Sequence, residues 1–181
     1  MLAEISIFSA IVVVLQIIAT FINFGSFPIT LTLIPIIVAG CVYGISAATI
    51  LGLVFGIIVD IMILLGADPS GATLFSIHPF IILFACLLKG ALAGLLSSLT
   101  FKLINKTNTR LAIYLSSIVC PIVNTFTLYV FLILFFDSSI KALIGAFVSI
   151  NFLIELILNI LISPFLVNLI IRNRNRYGQK G

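Results

Sequence analysis

Long apolar runs, separated by short polar or glycine- and proline-containing segments, follow one another along almost the whole chain. At a rise of about 1.5 Å per residue, most of these runs are long enough to cross a hydrocarbon core of roughly 30 Å as helices. The segment 66–73 is rich in turn-forming residues, which predicts a loop there. The pattern predicts an all-α fold, an integral membrane bundle of six transmembrane helices in a single domain, 1–181. The predicted spans are about 2–22, 31–44, 46–65, 78–104, 111–136 and 143–171.

Composition agrees with the apolar pattern and excludes a soluble globule. Hydrophobic residues make up 62% of the chain and charged residues 8%, with a mean hydropathy of +1.41. Soluble domains carry about 25% charged residues. The net charge of +4 comes mainly from cations at the ends of predicted spans and in the loops between them. It therefore indicates how the chain is oriented in the membrane, and we predict no nucleic-acid partner. The three cysteines stand apart in apolar runs without metal-ligand spacing, so we predict no metal and no cofactor.

The basic residues set the expected orientation. The segment 102–110 and the tail 172–181 are cation-rich, and such segments stay on the cytoplasmic side of a membrane. With six crossings, both the N and C termini are then cytoplasmic. The predicted inner segments hold Glu4 among the acids and seven of the nine cations: Lys102, Lys106, Arg110, Arg172, Arg174, Arg176 and Lys180.

The last span carries the first candidate for a site. Asn151, Glu155 and Asn159 follow one another at i, i+4 spacing, which places them on one face of a helix. A carboxylate near the bilayer centre costs at least about 2.5 kcal/mol, so we expect Glu155 to face a protein cavity and to have polar partners there.

Other polar side chains are predicted at a similar depth. The resulting candidate substrate-binding residues are Asp60, Lys89, Asn124, Asn151 and Glu155. They could form a cavity, open to the outside, that holds a small polar ligand. In the alternative interpretation, Lys89 is neutralised by Asp60 or Glu155 and the amides bridge helices by hydrogen bonds. Two carboxylates and one lysine do not decide the sign of the substrate's charge.

Small residues mark two helix faces. In the first span, Ser6 and Ala10 allow another helix to approach closely, either within the bundle or in a partner subunit. In the third span, small residues recur every four positions from Ala48 to Gly56, which predicts a groove for another helix.

The motifs that would indicate other functions are absent from the sequence. There is no GxxxxGK[ST] loop for ATP hydrolysis, and neither HExxH nor G-x-S-x-G occurs, so we predict that the protein is not an enzyme. A self-sufficient six-span carrier or channel would need internal repeats or a polar path to both faces. The polar groups are concentrated at middle and outer depth, which favours a binding protein over such a carrier.

Four stretches, in their order and spacing, resemble the substrate-binding S component of an energy-coupling-factor (ECF) vitamin importer. They are IPIIVAGCVYGISAATILGLVFGI, HPFIILFACLLKGALAGLL, IVNTFTLYVFL and NFLIELILNILISPFLV. The resemblance runs over nearly the whole chain and is strongest to the pantothenate and riboflavin type, with pantothenate the favoured substrate and pyridoxine or hydroxymethylpyrimidine as alternatives. The family's Ala-xxx-Ala contact in the first span is here Ser6-xxx-Ala10.

The resemblance implies a protein of the bacterial plasma membrane that captures a vitamin from outside with high affinity. It also implies partners: a transmembrane coupling subunit, on which the first span docks, and two ATPase subunits. Transport in the family is thought to involve tipping of the whole S component in the lipid bilayer. That mechanism agrees with a chain that has no ATPase motif of its own.

Overall fold

The structure is a computed structural model. It describes the backbone of residues 2–21, 23–24, 27–28 and 31–178, and the side chains of 3–19, 31–138, 148 and 151–172. The described chain is helical apart from two short strands that pair antiparallel, β1 (Asn23–Phe24) and β2 (Phe27–Pro28). The helices are α1 (Leu2–Phe21), α2 (Leu33–Tyr43), α3 (Ile45–Leu64), α4 (Pro69–Ile77), α5 (Pro79–Ile104), α6 (Thr109–Phe135) and α7 (Ser138–Gly178).

Four described helices are long and apolar enough to cross a membrane: Ile45–Leu64, Pro79–Ile104, Thr109–Phe135 and Asn151–Arg172. Two shorter apolar helices, Ala3–Ala19 and Leu33–Tyr43, correspond to the first two predicted spans. Large apolar side chains cover the outside of the bundle, and Phe80 is 86% exposed. Such a surface suits lipid, since soluble monomers rarely expose large apolar patches. These observations confirm a helical membrane bundle, while the count of six spans and the side of each terminus stay predictions.

Helix α2 lies at the centre of the bundle although it is short. Nine consecutive residues, from Leu33 to Cys41, are buried. At about 1.5 Å per residue its eleven residues extend over roughly half of a hydrocarbon core. The neighbouring helices therefore shield it from lipid.

The loop predicted at 66–73 is wrong for most of that segment, because α4 begins at Pro69. Asp68 caps the helix: its Oδ1 accepts hydrogen bonds from the backbone N–H groups of Ser70, at 3.1 Å, and Gly71, at 3.0 Å. An aspartate at the N-cap followed by proline at the first helical position is a recognised helix start. The turn-forming residues of this segment end α3 as expected, but a new helix begins within the same segment.

Helix α7 is longer than its predicted span at both ends. It extends over 41 residues, about 60 Å, with Pro164 inside it. Residues 172–178, predicted as a tail, continue the helix, and the Arg172 side chain is exposed.

The groove predicted on α3 is confirmed, and α5 occupies it. Gly52 and Gly56 of α3 lie directly against the backbone of α5. A Cβ atom on Gly56 would lie 2.7 Å from the Cys86 carbonyl oxygen, closer than real Cβ contacts. On the α5 side, a Cβ atom on Gly90 would collide with the Gly52 carbonyl oxygen in the same way. This close contact fixes Lys89, which precedes Gly90, relative to α3.

Candidate substrate-binding site

A cavity lies among the helices, with walls from α1, α3, α4, α5, α6 and α7. Its empty space amounts to about 670 Å³ with the open mouth included, and about 70 Å³ of it can take the centre of a water molecule. One buried water needs about 10–15 Å³ by that second measure, so the cavity admits several waters or a small polar molecule. The lining residues are Gln16, Phe55, Val59, Ile63, Asp68, Gly71, Leu74, Ile82, Cys86, Lys89, Asn124, Thr125, Leu128, Val148, Asn151, Phe152 and Glu155.

The structure brings together four of the five residues that the sequence suggested for a substrate site. Lys89 enters from α5, Asn124 from α6, and Asn151 and Glu155 from α7. Asp60 is different: it is 9% exposed, is not part of the lining, and lies beside Cys86 within electrostatic range of Lys89. Asp60 therefore acts on the cavity through its neighbours on α5.

The Lys89 ammonium group is held at the cavity wall by an aromatic ring and a nearby charge. Its Nζ lies 5.7 Å from the centroid of the Phe55 ring, a cation–π distance. Asp60, on the same helix as Phe55, supplies an opposite charge. Asp60 therefore lies within electrostatic range of Lys89, and the choice between Asp60 and Glu155 as its ion-pair partner stays a prediction.

On α7 the polar side chains share one face, as the i, i+4 spacing predicts. Asn151 Nδ2 donates to Glu155 Oε1 at 3.4 Å, and Asn159 Nδ2 donates to the backbone carbonyl of Glu155 at 2.7 Å. Glu155 is 3% exposed. Asn159 lies one turn beyond the cavity and is not part of its lining.

Asn124 offers an acceptor to the cavity from α6. Its side chain is 6% exposed, and its Oδ1 has no hydrogen-bond partner among the described residues. Buried polar atoms are almost always hydrogen-bonded in folded proteins. An acceptor of this kind in a cavity wall is a natural contact for a ligand hydroxyl or amide.

Sequence reasoning missed two polar contributions to the cavity. Gln16 reaches it from α1, and its Oε1 accepts a 2.9 Å hydrogen bond from Thr32 Oγ1, with both side chains buried. The presence of a glutamine in an apolar run could have indicated this contribution from the sequence. Asp68 and Gly71 reach it from α4, the helix that the sequence interpretation left out.

Polar groups also extend below the cavity, which corrects the expectation that they are confined to middle and outer depth. Ser97, Ser98 and Ser116 are buried near the predicted cytoplasmic ends of α5 and α6. Ser98 Oγ donates to the Gly40 carbonyl at 3.0 Å, and Ser116 Oγ donates to the Ser97 carbonyl at 2.8 Å. These hydroxyls are engaged in joining helices, so their presence does not amount to a path for solute.

The candidate docking face on α1 points away from the bundle. Ser6 and Ala10 are exposed, and Ile7 and Val14 are 61% and 53% exposed. Gln16, on a different face of the same helix, lines the cavity. The exposure of the small residues is what a partner contact requires.

The cavity lining combines polar and apolar side chains. Its lining offers an ammonium group, carboxylates, amides and a thiol among apolar walls, the composition typical of a small-molecule site. Within the described part of the chain, no group of three or more histidine, cysteine, aspartate or glutamate side chains is placed to hold a metal ion.

Comparison with known proteins gives the family. Residues 1–167 match the family model for the ECF transporter, substrate-specific component. The chain is 29% identical over 188 residues to the pantothenic acid transporter PanT of Lactococcus lactis subsp. cremoris (strain MG1363), an alignment that covers 96% of this chain and 94% of that protein. No solved structure was found to match. Both findings point to a transport protein rather than an enzyme. This chain therefore belongs to the family of substrate-specific components of ECF transporters, the vitamin-uptake S subunits.

Proposed function

We propose that this protein captures pantothenate from outside the cell and presents it for import. The observation that carries the proposal is the cavity in which Lys89 of α5 shares a wall with the amides and carboxylate of α6 and α7. A relative of nearly the same length carries the name of a pantothenic acid transporter, which supports this choice among water-soluble vitamins.

Pantothenate has a carboxylate at one end, an amide in the middle, and two hydroxyl groups beside a gem-dimethyl group at the other end. Lys89 is the natural partner of the carboxylate, since an ammonium group and a carboxylate make a charge-assisted hydrogen bond. Asn124, Asn151 and Glu155 supply acceptors and donors for the hydroxyls and the amide. Apolar lining residues such as Phe55 and Leu128 suit the dimethyl group.

The proposal also includes partners for import. In this proposal the protein docks through Ser6 and Ala10 of α1 on a transmembrane coupling subunit driven by two ATPases. Family membership and the exposure of both small residues support that role. Close helix contacts in membranes use small residues in this way.

Calorimetry on the purified chain in detergent tests the substrate. Pantothenate is titrated in parallel with riboflavin, pyridoxine and hydroxymethylpyrimidine, and we expect saturable 1:1 binding of pantothenate alone. Binding of one of the other three in its place would assign the cavity to that vitamin and overturn the proposal.

Transport in liposomes tests the mode of action. We expect the chain alone to bind pantothenate without moving it across the bilayer, and uptake to require the coupling module and ATP. Uptake by the chain alone, at the same lipid-to-protein ratio, would instead identify a self-sufficient carrier.

A further inference from the structure

A second recess, the α5–α6 groove, lies on the outside of the bundle between the two helices that give it its name. Its empty space amounts to about 720 Å³ with the open side included. Leu88, Leu92 and Leu96 line it from α5, and Ile122 and Phe126 are among the residues that line it from α6. The groove and the substrate cavity have no lining residue in common, so the groove is a separate feature.

The groove offers hydrocarbon surface and little to a polar ligand. Among the described residues that line it, Thr127 carries the one polar side chain, and its Oγ1 donates to the Val123 carbonyl of the same helix at 2.7 Å. Ile122 is 42% exposed and Phe126 66% exposed, on a helix long and apolar enough to cross a membrane. Close packing of another helix uses small residues, whereas these walls carry large ones. The groove therefore suits a flexible hydrocarbon chain.

The leucine wall of the groove continues along α5 to the end of that helix. Five leucines follow one another at spacings of three or four residues, which places them on one helix face. The last of them is 66% exposed, one residue before α5 ends at Ile104. The five are Leu88, Leu92, Leu96, Leu99 and Leu103. An apolar strip therefore leads from the groove to the end of the span.

Positive charge is concentrated at that end of the strip. Lys102, in the last turn of α5, and Lys106, in the loop after it, are both exposed, and the stretch 99–110 contains no acidic residue. Leu96 and Leu88 precede Lys102 by about 9 Å and 21 Å along the helix. The chains of one lipid leaflet extend over about 15 Å, half of the hydrocarbon core. A lipid chain anchored at the lysines therefore reaches into the groove.

The opposite end of the groove differs in shape and in charge. Phe131, on the α6 wall, packs against Phe84 and Phe135, with ring centroids 6.0 Å and 5.9 Å apart. Asp137 follows the end of α6 and is exposed. An anionic headgroup at that end would meet a like charge. The charges at the two ends of the groove therefore favour an anionic headgroup at the lysine end.

We infer that the α5–α6 groove binds one anionic phospholipid, with an acyl chain in the groove and the phosphate held by Lys102 and Lys106. Ammonium groups and phosphate oxygens make charge-assisted hydrogen bonds. Lysines next to a membrane span attract anionic lipids, and the leucine strip gives the chain a defined path. The inference does not depend on the proposed function, because the groove lies outside the substrate cavity.

Native mass spectrometry of the protein released from nanodiscs tests the headgroup contact. The nanodiscs contain equal amounts of phosphatidylglycerol and phosphatidylcholine with the same acyl chains. We expect one phosphatidylglycerol to be retained per protein chain, with a preference of roughly tenfold over phosphatidylcholine. Lys102→Gln and Lys106→Gln are each expected to lower this preference about threefold. Arg172→Gln, which removes an exposed cation from α7, is the control and is expected to keep it.

A second pair of variants tests the position of the acyl chain. Ile122→Trp fills the groove, and we expect the retained phosphatidylglycerol to be lost. Leu53→Trp adds the same ring at a position on α3 that is 39% exposed, and it is expected to retain the lipid. If Ile122→Trp fails to fold, as judged by thermal unfolding in detergent, Leu92→Phe fills the same groove from α5.

Equal retention of the two lipids by the unmodified protein overturns the inference, and so does an unchanged preference in both lysine variants. Phosphatidylglycerol retained in full by the folded groove-filling variant overturns the placement of the chain. A lipid-free dimer that the groove-filling variant no longer forms would assign the groove to a second copy of this chain instead.

Discussion

In the proposed function, Lys89 is the residue that selects the substrate by its charge. Its ammonium group lies over the Phe55 ring and near Asp60, so it is positioned by α3 rather than by its own helix alone. The sequence identified Lys89 as a charged residue within a span. It left open which partner Lys89 has, because that depends on how α3 and α5 pack.

Replacing the lysine should alter selection between two ligands of the same shape. For Lys89→Met we expect the affinity for pantothenate to fall at least tenfold, because the carboxylate loses its cation, while panthenol, the neutral alcohol analogue, binds with nearly unchanged affinity. Calorimetry with both ligands measures the difference. Equal losses for the two ligands would show that Lys89 supports the shape of the cavity rather than the carboxylate.

The amides of α6 and α7 should contribute comparable amounts to binding. For Asn124→Ala and Asn151→Ala we expect pantothenate binding to weaken by about 1–3 kcal/mol each, since a buried polar partner loses its hydrogen bond. Asn168→Ala is the matched control, because Asn168 is exposed on α7 away from the cavity. Calorimetric affinities unchanged in both cavity variants would remove the amides from the binding site.

The packing of α3 against α5 depends on glycines, which have no side chain. Their glycines allow backbone-to-backbone contact, and this contact holds Phe55 against Lys89. The four-residue repeat in α3 was enough to predict a groove. The spacing of the small residues could not show that α5 packs in this groove, because a stripe of small residues can accept any neighbouring helix.

A single added methyl group in this contact should destabilise the bundle. In Gly90→Ala the new Cβ would collide with the Gly52 carbonyl oxygen. We expect the free energy of unfolding to fall by about 1–3 kcal/mol, the usual cost of overpacking. Thermal unfolding in detergent measures the loss. Leu53→Phe is the control, because it enlarges a side chain on α3, the other helix of the pair, that is 39% exposed. Equal stability of the two variants would contradict the close contact.

At the scale of the whole molecule, helix α1 belongs both to the outer surface of the bundle and to the cavity wall. On helix α1, Ser6 and Ala10 are exposed, while Gln16 lines the cavity from a different face. If the proposed function is right, mutations on α1 can disturb docking and substrate binding separately.

Enlarging the docking face should abolish uptake without affecting capture. For Ser6→Leu and Ala10→Leu we expect pantothenate affinity to be preserved and ATP-dependent uptake with the coupling module to be lost, because a bulky side chain prevents close helix contact. Radiolabelled uptake in proteoliposomes measures transport. Ile18→Leu, at a position that is 47% exposed, is the control. Normal uptake in both leucine variants would exclude this face from docking.

The sequence by itself determined the class of this protein, because apolar length and the cost of charge in a bilayer act on each segment separately. It also placed Asn151 and Glu155 on one face, since helical periodicity is a local property. Helix α4 was missed because its apolar run is too short to signal a span, although its Asp-Pro start could be read. Only the tertiary structure decided that Asp60 lies within electrostatic range of Lys89 and that Gln16 and Asp68 line the cavity. Those relations depend on how helices distant in the chain pack together, and no local pattern records that packing.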